Sequence, residues 1–507
     1  MVSDSGKTVS PWFPDVEMPQ TAALNQDVSV DVCVVGAGIS GISTAYLLAR
    51  EGRKVAVLDD GPIGGGETGR TTAHIVNALD DRYFQLERLH GKRGIQLAAE
   101  SHTAAIDKVE ELLTAERIDC DFLRVEGYLY EPKDGDPKDL DREHDACRRA
   151  GINVELVSRA PAPFDTGRAL KFPRQAQFHP LKYLRGLALA VQKQGGQIFT
   201  GTFAQEMQGG ASCKVKSKDG KTVRAGAIVV ATNTPVNDRV IIHTKQMPYR
   251  TYVIGIEVRR DSVEAILLWD DDMPYHYVRL VRGTGGLNDL LIVGGEDHKT
   301  GQPEEMGAPF GRLEHWTRQR YSMASEVKFR WSGQVMEPYD KLGYIGRNPA
   351  DEKNVYVITG DSGNGMTHGT IGAILCTDLI MGRKNEWETL YDPRRKTMSP
   401  SASLEYTKEN LNTAAQYRDW LARGDVASVE EIKNGTGAII RKGLKHVAVY
   451  RDDSGVLHEK SAVCPHLGCV VRWNHVEKTW DCPCHGSRFE ARGKVVNGPS
   501  LGDLNDA

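Results

Sequence analysis

From Val28 the run VSVDVCVV is apolar and rich in β-branched residues; GAGISG follows, STAYLLAREG has helical spacing, and KVAVLDD returns to a strand pattern. This predicts strand, glycine turn, helix, strand. A second α/β tract ends at AGAIVVATNTP (225–235), and a third strand, NVYVITG (354–360), runs into the glycine-rich GNGMTHGTIGAILCTDLIMG. The three strands fit one parallel sheet. Between the last two, YVIGIEVRR (252–260), HYVRLVR (276–282) and DLLIVGG (289–295) read as strands of an antiparallel sheet. A second unit inserted into the first is expected, spanning approximately 85–150 and 245–330. Residues 28–395 form the whole α/β body with its insertion, and 1–27 an N-terminal extension. A polar stretch with Pro393 and Pro400 and helical spacing from Leu404 predicts a helical linker over 396–425. Beyond it, in 426–507, apolar and polar residues alternate around a DDSG turn, as in a small all-β domain.

Composition adds limits. At 507 residues the chain exceeds the ~250–300 at which one core stops growing, so several domains are expected. With 40% apolar and 26% charged residues it is globular rather than disordered, and a net charge of -4 without a basic stripe points away from nucleic acid. A small-molecule partner is expected. The start has no apolar run for a signal segment, and no stretch reaches the ~20 apolar residues of a membrane helix, so a cytoplasmic location is expected. Of nine cysteines, five are scattered singly, whereas Cys464, Cys469, Cys482 and Cys484 crowd into 21 residues. Scatter suggests buried packing, and crowding suggests chemistry.

CPHLGC and CPCHGS together read C-x-H and, 15 residues later, C-x-x-H. Each loop offers one thiolate and one imidazole. A [2Fe–2S] cluster with two Cys on one iron and two His on the other needs such a set, Cys464 and Cys482 for the first and His466 and His485 for the second. Zinc also accepts Cys2His2, although classical fingers pair like with like. The two boxes resemble those of Rieske proteins of the respiratory-complex kind. The resemblance implies a disulfide between Cys469 and Cys484 over the cluster, two free thiols being the alternative. It also makes Ser487 a hydrogen-bond donor to a cluster sulfur and the Gly498–Ser500 turn a shield. Phe489 stands where high-potential members carry tyrosine, so an intermediate potential is expected.

Gly36, Gly38 and Gly41, with Ile39 and Ser40 between them, follow a strand and open a helix, and Asp59 lies 18 residues beyond Gly41 at the end of the next strand, beside Asp60. Bare backbone at a helix N-terminus suits a pyrophosphate, and the carboxylate suits ribose hydroxyls. The segment GPIGGGETGRTTAH (61–74), FHPLKYLRGLA (178–188), the ATNTP turn, FRWSGQVMEPYDKLGYIG (329–346) and TGDSGNGMTHGT (359–370) resemble the D-amino-acid oxidase and glycine oxidase family of FAD-dependent oxidoreductases. The resemblance implies FAD, held by Gly66, Thr68, Arg70, Thr71, Thr72 and His74, by Ala231 and Thr232, and by Gly360, Gly363, Asn364, Gly365, Met366 and Thr367. The T-T-x-H tetrad is similar to one in dimethylglycine- and sarcosine-dehydrogenase relatives, where the histidine bonds covalently to flavin. For His74 either that bond or simple packing on the ring is open.

The family's reaction oxidises a C–N bond of an amine or amino acid. Arg330, Arg250 and Tyr252 are candidate substrate contacts, alternatively structural residues. Flavin takes two electrons and the cluster one, so the fusion suggests a dehydrogenase whose cluster hands electrons to an external acceptor. Two other readings stand beside it: an external donor feeding a reductive or oxygenating flavoenzyme through the cluster, and a non-catalytic redox sensor. The oligomeric state is open.

Overall fold

The computed structural model describes the chain apart from residues 1–4, 132–135, 238–241, 303–306, 350–352, 397–405, 409, 414–415 and 422. Val28–Val35 lies at the centre of the first sheet, parallel to Thr222–Val230 on one side and Val55–Leu58 on the other, with Val355–Thr359 parallel to Thr222–Val230 in turn. The last four residues of Val28–Val35 are buried on both faces, as a strand covered by helices requires. The helices Ile39–Arg50 and Gly365–Ile380 pack on each other there, and Gly369 permits it: a Cβ would sit 2.7 Å from the Ser40 hydroxyl.

The second sheet has nine strands, and its antiparallel core is Val327–Pro338, Gln246–Arg259, Asn288–Lys299 and His276–Gly285. It is wider than the expected insertion. Leu267–Asp270 continues it to Leu123–Tyr130, Ala169–Gln177 and the short His74–Ile75, so segments from both halves of the chain build this wall. Most of the missed strands are short or paired far along the chain, where local alternation is weak evidence. A helical stretch, Tyr83–Glu116, broken at Gly91 (φ 70°), packs against the Gly365–Ile380 helix rather than belonging to the insertion alone.

Of the linker expected over 396–425, residues 406–408 and 410–413 are helical, and 397–405, 409, 414–415 and 422 lie outside the described residues. The C-terminal domain is a three-stranded sheet (Thr436–Lys442, Lys445–Arg451, Leu457–Ser461) and a four-stranded sheet (Arg472–Asn474, Thr479–Asp481, Arg488–Glu490, Val495–Asn497). The Asp452 side chain closes the DDSG turn by accepting from the N–H groups of Ser454 (3.0 Å) and Val456 (2.9 Å). Among the described residues no helix is long and apolar enough to cross a membrane.

The two bodies are locked by one carboxylate. Between Arg472–Asn474 and Thr479–Asp481 the hairpin tip puts Glu477 into the first domain, with Asn474 Oδ1 accepting from the N–H groups of Val476 and Glu477, both at 3.1 Å. The Glu477 side chain is 0% exposed, 3.0 Å from Arg70 Nη1 and 3.8 Å from Arg250 Nη1, and it accepts from the Ser332 hydroxyl. The N-terminal extension completes the grip: Thr8 donates to Glu477 through its N–H (3.0 Å) and its hydroxyl (2.5 Å), and Lys7 N–H donates to the Glu477 carbonyl (3.0 Å). Trp12 and Phe13, in the same extension, are buried against the first domain. Burial alone would raise the Glu477 carboxyl, but Arg70, Arg250 and Arg488, with Ser332, overcome that and hold it at about 2.

Glu477→Gln removes the anion from between buried guanidiniums and is expected to cost about 3–5 kcal/mol of docking. Calorimetry should show one cooperative unfolding event becoming two. Because the folded carboxyl titrates below its usual 4.5, its contribution is complete above that pH and declines as pH falls toward about 2. Acid titration of the wild type should therefore separate the domains in that window, and unchanged cooperativity down to its lower end would contradict the lock.

Candidate functional site

An elongated cavity of ≈ 290 Å³ runs along the C-terminal ends of the parallel strands. At one end lie Asp59 and Asp60 with Phe203, and at the other His74, Asp80, Trp269 and Tyr277. The fingerprint glycines serve three purposes. Gly36 (φ 108°) would drive a Cβ to 2.4 Å from the Ala231 carbonyl, and a Cβ on Gly41 would strike the Gly36 carbonyl at 1.8 Å. Gly38 faces the cavity, as do Ile39 and Ser40 at the start of the helix. Asp59 orders the turn, accepting from Ala37 N–H (2.5 Å) and Gly61 N–H (2.8 Å). Asp60 is pushed up by burial, against Lys494 of the C-terminal domain and nearby N–H groups.

The segment 61–74 forms the long wall, contributing Gly66, Thr68, Thr71, Thr72 and His74 to the lining. A Cβ added to Gly66 meets nothing within 4 Å, so the backbone there is bare toward the cavity. The Thr68 hydroxyl accepts from Ile39 N–H at 3.0 Å. Ala231 and Thr232 lie opposite, and Gly363, Asn364, Gly365 and Met366 bring a helix N-terminus to the lining. These features fit a long dinucleotide with a pyrophosphate at its middle.

Several candidates sit elsewhere. Arg70 borders the cavity, but its side chain is 0% exposed and its guanidinium bonds Glu477, the Ser332 carbonyl (2.7 Å) and the Thr8 carbonyl (2.9 Å), so it docks a domain instead of gripping cofactor. Thr367 turns away to His102 Nδ1 (2.8 Å), and Gly360 packs under Pro338 and Gln246. Of the three substrate candidates none lines the cavity. Arg250 is buried beside Glu477 and Asp481, Tyr252 is hydrogen-bonded to His298 Nε2 (2.9 Å), and Arg330 pairs on the surface with Glu314 (2.9 Å). Strand alternation explains it: side chains next to a cavity-facing residue point to the sheet's other face.

His74 Nδ1 meets the Thr72 hydroxyl at 3.1 Å, while its Nε2 is buried without a hydrogen-bond partner. Burial, and then Arg279, push this imidazole down to about 3, so it is neutral. Residues that the sequence reading missed add to the wall: Asp80, Thr251, Trp269, Tyr275, Tyr277, Gln334, and Val495–Gly498, Ser500 and Leu501 of the C-terminal domain. Only the GPS turn at the end of that last segment carried a local signal.

The two cysteine–histidine loops are similar turns. Gly468 N–H donates to the Cys464 carbonyl (3.0 Å) and Gly486 N–H to the Cys482 carbonyl (3.1 Å), with both glycines at φ 80°. Cys464 and Cys482 are in hydrogen-bonding contact. N–H groups of His466 and Leu467 with the Ser487 hydroxyl converge on the first sulfur, and those of Cys484 and His485 on the second. Such converging donors suit sulfur anions. The His466 and His485 rings lie 5.0 Å apart, and His485 Nδ1 is buried with no hydrogen-bond partner. Cys469 and Cys484 form a disulfide with Cα atoms 6.4 Å apart, and Cys482 Sγ lies within 4.8 Å of both of its sulfurs. Outside the bridge stand Cys464, His466, Cys482 and His485, a set that fits a cluster held by two thiolates and two imidazoles. Phe489, 0% exposed, belongs to this domain's core.

The two sites adjoin. Gln334 lines the cavity, and its side-chain amide donates to the Gly486 carbonyl (3.1 Å), one residue beyond His485. A Cβ on Gly486 would lie 2.7 Å from Pro248 and 2.8 Å from that amide, so glycine lets the loop seat. His243 of the first domain faces His466 and His485, with ring centroids 5.0 and 5.8 Å away.

Comparison with known proteins agrees with both halves. The family model for FAD dependent oxidoreductases matches residues 31–379 and that for the Rieske [2Fe-2S] domain residues 422–506. The chain is 31% identical to the Rieske 2Fe-2S iron-sulfur protein YhfW of Bacillus subtilis, over 97% of this chain and 96% of that protein. It is 25% identical to gamma-glutamylputrescine oxidoreductase of Escherichia coli, over 71% of this chain and 85% of that one. Glycine oxidase from Geobacillus kaustophilus superposes with a TM-score of 0.62 at 18% identity, covering 73% of this chain and 99% of that one. The cofactors of the present chain are FAD and a [2Fe–2S] cluster, and it belongs to the FAD-dependent oxidoreductase family of the D-amino-acid oxidase type, with a Rieske domain at its C-terminus.

Proposed function

We propose that this protein is an amine dehydrogenase whose electrons leave the flavin for the Rieske cluster of the same chain. The observation that carries this reading is Gln334, which touches the flavin cavity on one side and the loop of His485 on the other. The relatives support the chemistry by name, gamma-glutamylputrescine oxidoreductase in sequence and glycine oxidase in fold. When bound, FAD accepts the hydride's two electrons and the cluster exchanges electrons one at a time.

The chain's residues serve that exchange by position. The His466 and His485 rings both contact His243 of the first domain, His466 half-buried and His485 only 7% exposed, so the His485 edge is directed at the first domain. Asn497 and Gln334 both bond Glu67 of the long flavin wall, through a side chain (3.4 Å) and an N–H (2.7 Å), tying that wall to the cluster domain. The Ser487 hydroxyl, held by Ser500 N–H (3.0 Å), is set to donate to Cys464.

Anaerobic rapid mixing with an amine substrate should bleach the flavin first and the cluster second. Gln334→Leu should slow the second phase several-fold more than the first. A cluster that stays oxidised while peroxide accumulates in air would refute the proposal. Ser487→Ala removes a hydrogen bond to a sulfur anion and should lower the cluster potential by about 60–130 mV in a redox titration.

A further inference from the structure

The end of the cavity farthest from Asp59 is acidic and aromatic. Asp80 forms its wall beside the Gly363 turn, so close that a Cβ on Gly363 would lie 2.1 Å from its Oδ2. Asp361 lines the same end, and Asp297 stands behind it, accepting from the Tyr275 hydroxyl at 3.2 Å. Around Asp80 are Trp269, Tyr275 and Tyr277, with the last two rings 5.7 Å apart. The partnerless Nε2 of neutral His74 belongs to this wall, and its ring contacts Trp269 and Tyr277 at 5.9 and 5.7 Å.

The cations nearby are committed. Arg82 pairs with Asp271 (2.9 Å) and bonds the carbonyls of Leu79 and Asp270. Lys341 pairs with Asp81 (2.6 Å), Arg279 donates to the carbonyls of Thr72, Ala73 and Phe178, and Arg70 holds Glu477. Among the described residues, Arg70 is the sole Arg or Lys of the lining. A substrate carboxylate would therefore meet carboxylates and no available guanidinium, whereas an ammonium would meet an anion and aromatic faces, both attractive to it.

We propose that the substrate is a cationic amine without an α-carboxylate, seated among Trp269, Tyr275 and Tyr277 against Asp80, and that Asp80 takes the ammonium proton before oxidation. This rests on the amine-dehydrogenase reading and names the substrate class of the same site. In the proton step an N–H bond of the ammonium breaks and an O–H bond forms on Asp80. Ammonium becomes neutral amine and carboxylate becomes carboxylic acid, with no change in electron count. The freed lone pair is what lets the adjacent carbon give up hydride.

The surroundings tune Asp80 for this transfer. Burial pushes its carboxyl up to about 7; Arg82 opposes this, while Asp81, Asp297 and Asp361 add to it, and the Tyr275 and Tyr277 phenols face it as well. An acceptor in that range is deprotonated in the upper part of the neutral window, so flavin reduction at limiting amine should rise with pH through that region.

The test compares butylamine with norvaline, which is the same amine carrying an α-carboxylate, on FAD-loaded full-length protein. Binding is read by anaerobic calorimetry and by perturbation of the flavin spectrum, and turnover by flavin bleaching. Butylamine should bind and bleach, and norvaline should do neither at comparable concentration. Asp80→Asn should weaken butylamine binding about 10–100-fold and abolish the rising pH limb, with Asp80→Glu restoring part of both. FAD content and melting temperature report folding of each variant. Norvaline bound as tightly as butylamine, or an unaltered pH profile in correctly folded Asp80→Asn, would overturn the proposal. If butylamine binds selectively yet neither compound bleaches the flavin, the dehydrogenase reading fails and the cation pocket stands.

Discussion

A fully buried carboxylate dictates how this molecule is assembled. Removing Glu477 from water costs several kcal/mol, and the loss is recovered only when Arg70, Arg250, Ser332 and Thr8 are all in place around it. These partners come from the flavin wall, two strands of the large sheet and the N-terminal extension. A displaced or rotated Rieske domain would leave two guanidiniums and a carboxylate buried without their partners, so a single docked arrangement is strongly favoured. Arg488 and Asp481 extend the same network within the Rieske domain, 3.2 Å apart.

That docking makes the two redox sites one structural unit. Val495–Leu501, from the Rieske domain, closes the nucleotide end of the flavin cavity, and Phe203, from the flavin domain, packs on the Rieske core. Farther along, Gln334 spans from cavity to cluster loop. Loading of FAD and seating of the Rieske domain must then favour each other, because each supplies surface that the other buries.

What could be read from the sequence was whatever chemistry lies close in the chain. The cluster ligands occupy two short loops with fixed spacing, and the glycine fingerprint needs only its own strand and helix. Arg250, Tyr252 and Arg330 illustrate the opposite case. Each was a plausible anion or substrate contact by residue type, but the role of a lone side chain is set by which sheet face it takes and by partners such as Glu477 and Glu314, remote in sequence or unsignalled. Glu477 sits in NHVEKT, an ordinary polar hairpin, and Asp80 in the equally ordinary ALDD. Nothing local marks either as buried or as cavity-lining. The polar N-terminal extension was likewise unreadable as a clasp, since its contacts lie hundreds of positions away, as with Thr8 and Glu477.

The interface and the character of the cavity share a cause. Arg70 is the cation best placed to balance the carboxylates along the flavin cavity, being the sole Arg or Lys among its described lining residues. Its guanidinium is turned outward to Glu477 because leaving that carboxylate buried and unpaired would cost more than leaving the cavity acidic, where solvent or a bound cation can compensate. The contact that brings the Rieske domain into place thus also withdraws positive charge from the flavin cavity. An acidic, aromatic pocket is the electrostatic consequence of joining the two domains in this way, and positive charge brought into the cavity is what would restore its balance.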